Sequence, residues 1–174
     1  MDYGHFKTRV AGNATGLNKT ILAAPRSWIT TMPAADAAAP SATAGESVTV
    51  SSDIVFDTGK GFVELLMTED TTDLVGEING DNADSLRDKV MLTAFMPGLT
   101  AERLELAQQA KNDDWVLLVQ DCGQTFLLGC DCSPVQAQAT PTSGKVSGGA
   151  KGHNWTFEAF CGLKIYTGTI SKKA

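Results

Sequence analysis

Four cysteines and two histidines are the side chains with the most chemical range in this chain. Cys122, Cys130 and Cys132 lie close together, Cys161 follows at a distance, and His153 falls between. Thiolates and imidazoles build zinc sites, but those sites usually present cysteines as C-x2-C to C-x4-C pairs. Cys130-Asp131-Cys132 is a C-x-C, a spacing that in a strand sends the two thiols to opposite faces. Cys122 and Cys130 flank a hairpin strand and would meet only if its ends folded back. Free or buried thiols are therefore expected rather than a metal ligand set. A disulfide is not expected of a cytoplasmic product, and the sequence leaves the pairing of the four open.

Other groups carry less. Ser143 to Gly152, SGKVSGGAKG, contains a Gly-Lys pair. A phosphate loop needs G-x-x-x-x-G-K-[ST] between a strand and a helix; here Val146 follows Lys145 and a strand comes next. Glu69, Asp70 and Asp73 cluster, as do Asp81 and Asp84. INGDNAD lacks the order of a calcium loop, so these acids read as solvated turns. The histidines are His5, near the start, and His153, in the Gly-rich stretch. His153 with Cys161 is the one Cys/His pair to weigh for nucleophilic chemistry, and strand geometry gives no reason to align them. No G-x-S-x-G is present. No catalytic, cofactor-binding or metal residue is assigned, no cofactor is implied, and the chain is expected not to be an enzyme.

The strongest elements lie between Lys89 and Gly129. KVMLTAF reads as a strand stopped by Pro97-Gly98, and WVLLV (Trp115–Val119) reads as a strand buried on both faces. Asp121-Cys122-Gly123 turns the chain and Thr125 to Leu128 returns it, a hairpin closed by Gly129. Between them Ala101 to Lys111 has helical composition, with Thr100 as N-cap and Glu102 in the first turn. Leu99, Leu106 and Ala110 fall near one face, with Leu104 and Ala107 beside them. So short a helix is unstable alone and must lie on a sheet. Further strands are expected at Thr20–Ala24, Ser27–Thr31 (anchored by Trp28), across SVTVSSDIVF, and at Phe62–Thr68, Thr72–Ile78, Trp155–Phe160 and Lys164–Ile170. The total is about seven to nine strands and one helix, with no internal repeat. The fold class expected is mainly β (α+β): an antiparallel β-sandwich or barrel with one flanking helix and extended arms.

At 174 residues and 43% hydrophobic, the chain is long enough for one domain with a real core. Three parts are expected: residues 1–32 as an arm with the first strands, 33–46 as a low-complexity Ala/Ser/Pro loop, and 47–174 as the β-rich core. The net charge of −6 argues against a nucleic-acid-binding surface. No apolar run approaches the roughly 20 residues of a membrane span. MDYGHFKTRVAGNATG lacks the apolar centre of a secretory signal, so the product is expected to stay in the cytoplasm of the cell that makes it.

In this order of parts (KVMLTAF, TAERLELAQQAK, WVLLVQDCGQTFLLG, a Gly-rich loop, then WTFEAF and LKIYTGTI) the chain resembles bacteriophage tail-tube proteins. It is similar to small virion proteins of phages that infect Bacteroidetes. The resemblance spans residues 46 to 170. It implies a structural subunit of the virion, assembled in the host bacterial cytoplasm, that self-assembles into homo-oligomeric rings of hexameric symmetry. Those rings would stack into a tube, join other phage tail proteins, and let the genome DNA pass without specific binding. Another virion component (neck, tail terminator or capsid decoration protein) is the alternative within that class. A β-sandwich binding module is the alternative outside it, although three Trp and two Tyr, widely spaced, offer little aromatic surface.

Overall fold

The computed structural model describes residues 17, 19–36, 45–81, 83–121, 123–144 and 149–173. In chain order these form β1 (Thr20–Pro25), β2 (Ile29–Thr31), β3 (Thr49–Val50), β4 (Val55–Phe56), β5 (Val63–Leu66), β6 (Asp73–Asn79) and β7 (Arg87–Pro97). There follow α1 (Ala101–Ala110), β8 (Asp114–Gln120), β9 (Thr125–Leu128), β10 (Val135–Thr142), β11 (Gly152–Ala159) and β12 (Lys164–Tyr166). The protein is mainly β with one α-helix among the described residues, as its patterning predicts.

Ten of the strands form one sheet, and β2 and β4 pair separately. β8 is the junction. Its first residues, Asp114 and Trp115, pair with Gln136 and Val135 of β10, leading on to β11, β7 and β6. Its later residues, Leu117 to Gln120, pair with β9, leading on to β12 and β3. Its other edge pairs with β1, which carries β5. The pairing is antiparallel except between β12 and β3 and at the isolated Phe62–Lys172 bridge, both parallel. The sheet is therefore mixed rather than wholly antiparallel.

Apolar alternation decides which core each side chain enters. Ile21 and Ala23 of β1 and Trp115, Leu117 and Val119 of β8 face one core, shared with Val90, Leu92, Ala94 and Met96 of β7 and with Trp155, Phe157 and Ala159 of β11. Their neighbours Leu22, Ala24, Val116 and Leu118 face a second core, filled by Ile29, Val50, Ile54, Phe62, Leu127 and Tyr166. β1 and β8 are thus covered on both sides, which is why WVLLV is apolar without interruption. β1 lies at the centre of the sheet, so the core begins well before residue 47.

α1 lies against β10. Thr100 caps it in extended conformation, its hydroxyl accepting from the Arg103 amide at 3.4 Å. At the other end the Trp115 indole donates to the Ala110 carbonyl at 3.0 Å, satisfying one of the carbonyls a helix C-terminus leaves without a partner. Arg103, Leu106 and Ala110 form the buried face while Leu104 is exposed, so the helix turns slightly from the face its leucines predict.

Several expectations about individual strands change. SVTVSSDIVF is not one strand: Glu46–Val48 is a 3-10 turn, β3 pairs with β12, and β4 pairs with β2. The break falls at Ser51-Ser52-Asp53, where the Asp36 carboxylate accepts from the amide and hydroxyl of Ser51 at 2.8 and 2.7 Å, and Asp53 accepts from Thr169 N at 2.6 Å. These side-chain bonds compete with a continuous ladder. Conversely, VQAQATPT forms β10, a strand its small side chains and Pro141 had concealed. The last strand also ends early, at Tyr166, whose hydroxyl donates to Thr169 O at 2.9 Å and bends the tail back.

Candidate functional site

Each chemically suggestive group has a definite place. His153 is fully buried on β11, opposite Met96 and Pro141, and among the described residues neither ring nitrogen has a hydrogen bond of good geometry, the Gly98 backbone being only loosely placed to offer one. Burial pushes its pKa below the usual histidine value; the Gly98 backbone opposes this and the Arg103 guanidinium adds to it. Gly98 sits at φ +93, and any Cβ there would meet Arg103 Nη1 at 2.3 Å, so glycine is what lets the buried arginine lie across the strand end. Arg103 had no signal in the sequence. Cys161 lies beyond the opposite end of the strand from His153, roughly 25 Å away at about 3.3 Å per residue. The structure does not bring this pair together.

The acids face solvent or a cation. Glu69 pairs with Lys19; Asp70, Asp73, Asp81 and Asp84 are exposed in turns and at the start of β6. Among the described residues no group of three or more His, Cys, Asp or Glu side chains is placed to hold a metal ion. Cys130 and Cys161 are half-buried and Cys132 is exposed. Cys122, His5 and Lys145 lie outside the described residues. β11, not a helix, follows the loop that holds Gly144.

Two surfaces stand out instead. The first is a groove of about 770 Å³ over β7, β10 and β11. Thr68, Thr71, Thr93, Thr142, Asn154 and Thr156 line it, and none of its described lining residues is charged. Thr71 is fixed, donating to Thr68 O at 2.6 Å and accepting from Phe95 N at 3.1 Å. Its described residues offer hydroxyl and amide hydrogen bonds and no charge for an ionic ligand.

The second is the β6–β7 hairpin. Seven residue pairs, from Asp73–Thr93 to Asn79–Arg87, join its strands. Among the described residues β6 pairs with β7 alone, and from Gly76 to Asn79 it is exposed. Ile78 is 70% exposed and Leu86 54%, high values for large apolar side chains on either side of one turn. A strand with an unpaired edge and exposed apolar residues is a template for pairing with another chain. A strand over TDLVGEI was legible in the sequence; that its outer edge would have no strand partner among the described residues was not.

Comparison with protein-family models, curated proteins and solved structures gave no match.

Proposed function

We propose that the protein is a structural phage virion subunit, a tail-tube protein that works by self-assembly. One observation carries the reading: the β6–β7 hairpin presents a strand edge with no partner among the described residues, together with exposed Ile78 and Leu86. In a monomer that combination is a liability; in a ring the edge pairs with a neighbouring copy and the apolar tip is buried. The resemblance to tail-tube proteins supplies the hexameric ring, the stacking and the conduit. A net charge of −6 suits a lumen that repels DNA phosphates and lets the genome slide. The threonine groove, uncharged among its described lining residues, favours one competing reading, a binding module for a neutral hydrogen-bonding ligand.

Negative-stain microscopy of the purified full chain across a concentration series separates the two. Closed rings, or tubes with a regular axial repeat, support the tail-tube reading, and deletion of residues 33–46 then tests the contacts between rings. A monomer at every concentration refutes it and turns attention to the groove.

A further inference from the structure

The turn entering β10 and the end of β11 bring two thiols together. Cys130 to Ser133 form a tight turn, with Cys130 N donating to Ser133 O at 3.0 Å and Ser133 N to Cys130 O at 3.2 Å. That turn is tied to the end of β11 by the Phe160 amide, which donates to Ser133 Oγ at 3.0 Å. The β10–β11 register, with Gln136 opposite Glu158, runs out toward Ser133 on one side and Cys161 on the other. Across this junction the Cys161 thiol lies against the Cys130 thiol, and the Gly129 backbone hydrogen-bonds to it. Both are half-buried, whereas Cys132, the other member of the C-x-C, is exposed.

We propose that Cys130 and Cys161 are a redox pair that closes to an intramolecular disulfide when the protein meets a small-molecule disulfide oxidant. The pair sits just outside the open end of the β10–β11 hairpin, so the bond joins segments already held in contact. Closure there removes chain freedom from the unfolded state more than it alters the folded one. The two thiols are distinct. Burial first, and then the neighbouring Cys130, push the Cys161 thiol up, so Cys161 gives up its proton reluctantly and takes the resolving role, with Cys130 attacking first. Its thiolate attacks one sulfur of the oxidant, forming a mixed disulfide and releasing one oxidant thiol. Cys161, losing its proton, then attacks the Cys130 sulfur and releases the second. Two protein thiols are oxidised and one oxidant disulfide is reduced to two thiols. The inference is independent of the assembly reading.

The test is incubation of the full chain with excess glutathione disulfide, alkylation of the remaining thiols, proteolysis without reduction, and mass spectrometry. The Cys132→Ser variant is run beside it so that Cys130 and Cys132 are told apart. The expected result is the loss of two titratable thiols and a linked peptide pair carrying Cys130 and Cys161, in the parent and in C132S. In C130S and in C161S that link disappears. Persistence of all four thiols after oxidation overturns the proposal. So does a bond that engages Cys122 or Cys132, or one that joins two chains.

Discussion

Replacing Ile78 and Leu86 together by lysine separates assembly from folding at the β6–β7 hairpin. Neither side chain belongs to either core, so the double variant should keep its unfolding free energy within about 0.5 kcal/mol of the parent. Association is another matter. Fully burying an Ile or Leu side chain contributes roughly 1.5–3 kcal/mol. Scaled by exposures of 70% and 54%, the two residues together would supply about 2–4 kcal/mol at each contact between copies in the proposed ring. At tenfold per 1.4 kcal/mol, their loss weakens association by about 30- to 700-fold, before any repulsion between the new charges. Sedimentation velocity over a concentration series reads the shift in the assembly midpoint, and urea unfolding below that midpoint reads the fold. An assembly midpoint that does not move, in a variant that unfolds like the parent, refutes the role given to this hairpin.

His153 makes stability depend on pH. Its folded-state pKa lies below the ordinary 6.5, chiefly through burial, so as pH falls the unfolded chain takes up the proton first. Stability present above about pH 6.5 is lost as pH falls toward the folded-state value. His153→Leu should flatten that slope in urea melts between pH 5 and 8, and an unchanged slope counts against the assignment. Leu118, fully buried in the second core, should cost about 2–5 kcal/mol on truncation to Ala, read from the same melts. Gly152→Ala should destabilise at least as severely: its Cβ would stand 2.2 Å from the Met96 carbonyl oxygen, and the β7–β11 ladder must part to admit it. A soluble G152A with parental stability shows that the ladder yields more easily than this contact implies.

Local patterning by itself determined much of the fold. WVLLV is uninterrupted because β8 is covered on both faces, and a run of that length had few other homes. Thr100, a helix-forming stretch and Pro97-Gly98 before it placed α1, because capping and propensity act within one turn of chain. Asp121 to Gly129 announced a hairpin for the same local reason. β10 was concealed because VQAQATPT buries little apolar surface of its own; it is a strand because β11 and β8 hold it there.

The candidate sites were decided almost wholly by tertiary structure. His153 and Arg103 are 50 positions apart, and the guanidinium acts on the imidazole only because α1 packs against the sheet. Cys130 and Cys161 are neighbours through the β10–β11 register, which no spacing rule for a C-x-C anticipates. That β6 has one strand neighbour among the described residues is a property of the order of strands in the sheet. A residue's type and spacing constrain the few side chains within a turn or a strand of it, whereas proximity across the sheet and exposure at its edge depend on which strands pair.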